Sequence, residues 1–169
     1  MSPPSQDFAA ELASLRDRVT RLEEDAATSP DPDTFWALEG LRARRAEHPA
    51  TADGVVLLTG SLTLPTGEPV EWQQAGATAS LLEEDWSERA VSLAALSHPV
   101  RLDLLRRVLG GTRTTAGLAD ELGSTGQLHH HLRQLVAAGW LRQRGRGAYE
   151  VPAARVVPLL VVLTAVQGS

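Results

Sequence analysis

Leu118-Ala119-Asp120-Glu121-Leu122-Gly123-Ser124-Thr125-Gly126-Gln127-Leu128-His129-His130-His131-Leu132-Arg133-Gln134-Leu135 is the stretch on which the fold turns. Leu118, Ala119 and Leu122 stand before Gly123, and Leu128, Leu132 and Leu135 follow it. Apolar residues three and four apart share one face of a helix, so two helices are predicted, meeting across a glycine turn. Gly123 suits the turn because a left-handed backbone is cheap only for Gly. The small Ala119 lets the helices cross closely. The second helix is expected over Thr125–Ala138, closed by Gly139 as a C-cap glycine. This is the pattern of a helix-turn-helix.

Working outward, a helix is predicted from Ser87 to Leu96, ending at Ser97-His98-Pro99. Another follows from Val100 to Leu109, with Leu102, Leu105 and Leu109 inward, and stops at Gly110-Gly111. Thr114 or Thr115 caps the helix before the turn. Beyond Gly139, Trp140–Arg144 and Ala148–Val151 read as short strands joined by Gly145-Arg146-Gly147, which describes a wing. Residues 85–152 are therefore expected to form a winged helix-turn-helix domain.

Three segments carry a family resemblance: Leu93-Ala94-Ala95-Leu96-Ser97-His98-Pro99-Val100-Arg101-Leu102-Asp103-Leu104-Leu105, Gly126-Gln127-Leu128-His129-His130-His131-Leu132, and Ala137-Ala138-Gly139-Trp140-Leu141. Together they resemble the ArsR-type winged-helix repressors over about Trp86 to Val151. The resemblance implies a homodimer on an imperfect palindrome, with the helix from Thr125 in the major groove. It does not extend to metal sensing. The chain has no Cys, and residues 153–169 hold no Asp, Glu or His, so the usual ligand positions are empty of ligands.

The helical wheel separates a buried stripe, Leu128, Leu132, Leu135 and Val136, from an opposite face that includes Gln127, His130, Arg133 and Gln134. Gln pairs with adenine and Arg with guanine through two hydrogen bonds each. Ser124 and Thr125, at the helix start, suit a phosphate. Arg144 and Arg146 of the wing complete the expected DNA contacts. The run His129-His130-His131 is not a metal site, because consecutive helical residues point about 100° apart. His131 is instead expected at the edge of the core, and His98 at a helix end. No metal, cofactor or catalytic residue is expected; phosphate-binding glycine loops and nucleophile elbows are missing from the sequence.

The rest of the chain reads as follows. Residues 1–7 are a disordered lead. Phe8, Leu12, Leu15, Val19, Leu22 and Ala26 form a short heptad seam over residues 8–27, either a dimerising coiled coil or an amphipathic helix lying on its own domain. Residues 31–82 are an accessory segment: a helix to about Glu47 with Phe35, Leu38 and Leu41 on one face, then a hairpin of Val55–Leu64 and Val70–Gln74, then a short helix through Leu82. A hairpin alone is unstable in water and must pack on something. Residues 153–167 form a helix apolar nearly all round, expected to dimerise through Leu159, Leu160 and Leu163 as the first seam does through Leu12, Leu15, Val19 and Leu22. Pro158 fits its first turn if the helix starts near Arg155. The fold class is thus mainly α with small β.

Net charge is −5, but it is divided unevenly. Residues 1–97 hold 7 Arg against 17 acids, and residues 98–169 hold 9 Arg against 4 acids. Polyanions bind basic faces, partly through counterion release, and only the C-terminal half has one. The absence of Cys fits a reducing compartment, and no signal peptide or membrane span is evident, so a cytoplasmic protein is expected. The expected partners are double-stranded DNA and a second copy; a small apolar effector is left open. The competing expectation is a protein-interaction or self-assembly module built from the coiled coil and hairpin.

Overall fold

The computed structural model describes residues 11–21, 36–48, 51–119 and 125–167. The chain forms two compact units, residues 1–52 and 53–169. In the first, residues 11–21 are helical (α1), and Leu12, Leu15 and Val19 are each about half exposed. A second helix, α2 (Trp36–Glu47), half-buries Leu38 and Leu41. Arg45 closes its end by donating from Nε and Nη2 to the Ala52 carbonyl at 3.0 and 2.7 Å. The expected lead, together with Phe8, Leu22, Ala26 and Phe35, lies outside the described residues.

The second unit begins with an antiparallel hairpin, β1 (Val55–Thr63) and β2 (Pro69–Ala77), in register from Val55 opposite Ala77 to Thr63 opposite Pro69. Helices α3 (Thr78–Glu83) and α4 (Ala90–Leu96) follow, separated by a 3-10 turn at Trp86–Arg89 that Asp85 caps. The expected helix from Ser87 is therefore two elements. Next come α5 (Pro99–Leu109), α6 (Thr115–Ala119) and α7 (Thr125–Ala137), then the wing strands β3 (Arg142–Gln143) and β4 (Tyr149–Glu150), and finally α8 (Ala153–Ala165). The hairpin belongs to the same compact unit as α4–α8, which begins at Asp53.

Two apolar clusters hold this unit. One gathers Leu104, Leu105 and Val108 of α5, Leu118 of α6, Leu128, Leu132 and Leu135 of α7, and Leu159 of α8. Leu102 and Leu109, expected to face inward, are only half-buried, because the α5 stripe is centred on Leu104, Leu105 and Val108. Val136 of α7 is likewise exposed rather than part of its buried stripe. Trp140 joins the cluster and donates its indole N–H to the Ser92 carbonyl at 2.8 Å, tying the end of α7 to α4. Gly139 takes φ +74° just after α7, a conformation costly for any residue with a Cβ.

The second cluster joins the hairpin to α8. Leu64, Val70, Val156 and Val157 are buried together, with Leu58, Leu62 and Trp72 against them. Leu58 and Leu62 share one face of β1 by the period-two rule, Leu64 follows just beyond its end, and Gly60 lies between Leu58 and Leu62 opposite Trp72. A Cβ at Gly60 would stand 2.8 Å from Val157 Cγ1, so glycine is what lets the strand approach the helix. The helix that needed cover thus finds much of it within its own chain. Leu159 is 1% exposed and belongs to the intrachain core, not to a surface available for dimerisation. Leu160 and Leu163 are half-buried. Because α8 starts at Ala153, Pro158 sits in the second turn and not the first, and α8 forgoes one backbone hydrogen bond there.

Substituting Gly60→Val should cost about 1–3 kcal/mol of stability through overpacking against Val157. Adding Val157→Ala should recover part of that loss, in a urea-denaturation double-mutant cycle. Strictly additive effects would show that the strand and helix are not in contact.

Candidate nucleic-acid interface

The exposed face of α7 is set by what its other face buries. Leu128, Leu132 and Leu135 are 0–1% exposed, which turns Gln127, His130, Arg133 and Gln134 to solvent. A helix spanning Thr125–Ala137 presents this row over three turns. Leu122, Gly123 and Ser124 lie outside the described residues, as does the side chain of Thr125. The turn itself is therefore not described, but α6 and α7 pack against the same core on either side of it. Thr114 supplies the cap of α6, its hydroxyl accepting from the Gly117 N–H at 3.2 Å.

The wing is stitched to the start of α6. Tyr149 N–H donates to the Arg113 carbonyl at 2.8 Å, and Thr115 donates to the Gly147 carbonyl from both its N–H and its hydroxyl, at 2.8 and 3.0 Å. Arg144 N–H bonds the Ala148 carbonyl at 2.8 Å, closing a tip that carries Arg146 outward. Arg144 and Arg146 do not share one environment. Glu150 accepts from Arg144 Nη1 at 3.2 Å and also from Arg142 Nε. The Arg142 hydrogen bond is the main reason the Glu150 carboxyl is held below its usual range, with the nearby charges of Arg142, Arg144 and Arg113 adding to it. The wing charge is thus partly offset at Arg144 and exposed at Arg146.

A similar offset operates on α5. Asp103 accepts from Arg106 Nη2 at 2.6 Å and Arg107 Nε at 2.5 Å, and these hydrogen bonds, Arg107 first, lower its pKa. Between α5 and α8 lies an apolar groove of about 320 Å³, walled by Leu102, Leu105, Leu109, Leu159, Leu160 and Leu163.

The histidines occupy different settings. His98 caps α5, its Nδ1 accepting from the Val100 N–H at 3.1 Å. His131 is half-buried with its ring centroid 4.6 Å from that of His98, and its Nδ1 has no partner among the described residues. Burial chiefly, then the charges of His98, Arg101 and His130, push the His131 pKa below the ordinary 6.5. Among the described residues no group of three or more His, Asp or Glu side chains is placed to hold a metal ion. No helix among them is long and apolar enough to cross a membrane.

Three residues important to this surface escaped the sequence reading: Arg101, which holds Gln134, and the pair Arg142 and Glu150. The last two stand opposite each other in the wing register, a cross-strand pairing of opposite charges that the strand alternation alone could have revealed.

Residues 96–144 match the model of a family described as a helix-turn-helix domain, a span that takes in α5, α6, α7 and β3. With the β3–β4 hairpin following directly, the chain carries a winged helix-turn-helix. No curated protein matches the sequence. Among solved structures, the chain is similar to the transcriptional repressor BigR from Xylella fastidiosa, with 26% identity and a TM-score of 0.40 over 54% of this chain and 100% of that one.

A lowered His131 pKa means that the folded state favours the neutral ring while the unfolded chain takes up the proton more readily. Stability is therefore lost as pH falls from the ordinary value of 6.5 toward the lowered native one. Urea midpoints taken at about pH 7.5 and about pH 5.5 should fall less in His131→Asn than in the parent protein. An identical fall in both would show that His131 does not carry this dependence.

Proposed function

We propose that this protein is a homodimeric, sequence-specific DNA-binding transcription regulator, a cytoplasmic repressor of the ArsR type without metal-sensing cysteines. The observation that carries this reading is the outward row Gln127, His130, Arg133 and Gln134 on a helix whose inward row is wholly buried. That helix enters the major groove, and Gln127, His130 and Arg133 meet base edges. Ser124 and Thr125 meet phosphate at its N-terminus, while Arg146, with a lesser part from Arg144, meets phosphate from the wing. The excess of Arg over acids in the C-terminal half supplies the attraction, against the net charge of the whole chain.

Dimerisation, on this reading, uses faces that the single chain leaves uncovered. Val91 and Leu93 of α4 are 68% and 57% exposed, and Trp86 and Leu82 beside them are equally bare. Large apolar side chains clustered in this way mark an interaction surface. Leu160 and Leu163 of α8, half-buried beside α5, are a second such face, and the seam of Leu12, Leu15, Val19 and Leu22 is assigned separately to a short coiled coil. A C2 pair places two recognition helices about one turn of DNA apart, which suits a palindromic site.

Arg133→Ala should weaken binding to the selected operator by roughly 5- to 150-fold, and relax preference at one position. Arg146→Ala should weaken specific and random duplexes alike and reduce the salt slope by about 1, with a smaller effect for Arg144→Ala. Gel shifts across a salt series test both, and equal loss on specific and random DNA for Arg133→Ala would count against readout in the groove. Separately, Val91→Asp with Leu93→Asp should convert the dimer to monomer in sedimentation and cost affinity for a two-half-site duplex far more than for a half-site. A dimer that persists would move the interface elsewhere.

A further inference from the structure

Gln134 lies on the exposed face of α7, but its amide is not at liberty to turn. Arg101, in the first turn of α5, donates from Nη1 to Gln134 Oε1 at 2.6 Å. The same guanidinium donates from Nε to the Ala95 carbonyl at 2.6 Å and from Nη2 to the Ala94 carbonyl at 2.8 Å. Those carbonyls belong to the last turn of α4, where positive charge is favoured; the Ala94 carbonyl also accepts from the Ser97 N–H and hydroxyl, at 3.1 and 2.7 Å. Two of the three bonds therefore anchor Arg101 on α4, and the third is left for α7.

Chemistry settles which end of the amide faces the arginine. A guanidinium has donors only, so its partner must be the amide oxygen, and the amide nitrogen is directed away. An unrestrained Gln could offer DNA either its oxygen or its nitrogen. Held this way, it offers the nitrogen.

Resting on the DNA-binding reading above, we propose that Arg101 is a positioning residue which fixes Gln134 as a hydrogen-bond donor to an acceptor on the DNA. The acceptor is a phosphate oxygen or an acceptor atom on a base edge. Because Arg101 is anchored to the helix bearing Val91 and Leu93, it also indexes this contact to the face assigned to dimerisation. A shift of α4 would move the guanidinium and release the amide.

The test is a double-mutant cycle on the full chain, read by duplex affinity. Gln134→Ala should lose roughly 2- to 10-fold, the scale of one hydrogen bond, or more if the partner is phosphate. Gln134→Glu keeps an oxygen for Arg101 but has no donor for the DNA, so it should lose at least as much as Gln134→Ala. Arg101→Met should also lose affinity, and the double variant Arg101→Met/Gln134→Ala should lose little more than the worse single change. Should Arg101→Met fail to fold, Arg101→Lys takes its place in the cycle, and additivity of Arg101→Lys with Gln134→Ala would overturn the proposal in the same way. In the DNA-free protein, the side-chain amide resonances of Gln134 should shift on Arg101→Lys, a readout of orientation that affinity does not supply.

Selection from randomised duplexes tells the two acceptors apart: altered preference at one position marks a base, and uniform loss marks phosphate. Gln134→Glu binding as well as the parent would overturn the proposal, as would full additivity of the two sites. A parent protein that binds no duplex at all would instead remove the reading beneath it, a result visible before any variant is made.

Discussion

Everything in the larger unit depends on covering α8. Its residues from Val156 to Val162 are apolar on nearly every side, and such a helix cannot rest in water on one flank. Two different structures meet the demand. Leu159 is buried with the leucines of α5 and α7, and Val156 and Val157 are buried against the hairpin. The hairpin needs the helix just as much, since two strands alone have nothing to shield their apolar face. Neither partner makes sense without the other, and the winged helix inherits a fixed last element from their union.

Charge is managed by pairing rather than by uniform surplus. On α5 a single carboxylate, Asp103, takes up two arginines, and in the wing Glu150 does the same. Such partly exposed pairs add little stability. Their effect is on the field outside: they reduce the positive charge available along α5 and at Arg144, while Arg133 and Arg146 stay exposed on the two elements assigned to DNA. Arg155, by contrast, lies 5.1 Å from the centroid of the Trp140 ring, and its cation is engaged by the aromatic face.

The winged helix was legible in the sequence because its signals are local. Leucines at helical spacing, His98-Pro99 before α5, Gly139 after α7 and the Gly-Arg-Gly tip each report on their own neighbourhood, and the elements formed where they indicate. What was misjudged required knowing a partner distant in the chain. Leu102 and Leu109 fit an inward face as well as Leu104 and Val108 do, and only the docking of α8 decides between them. Leu159 looked available for a second chain because the hairpin and α5 were not known to cover α8 from two sides. Gln134 was correctly read as exposed, yet its orientation depends on Arg101, 33 residues earlier. Gly60 gave no hint at all, because an unremarkable strand position acquires meaning only when Val157 arrives.

The pairing of hairpin and α8 also has a consequence in time. β2 ends at Ala77 and α8 begins at Ala153, about 75 residues later, which a ribosome takes roughly 4–15 s to add. For that interval the apolar strand face of Leu58, Leu62, Val70 and Trp72 is in the nascent chain without its cover. Synthesis thus leaves two open strand edges and an apolar face together, the combination that invites pairing with neighbouring chains. The hairpin can dock on α8 only after that interval has passed, so its apolar face is covered late although its strands are made early.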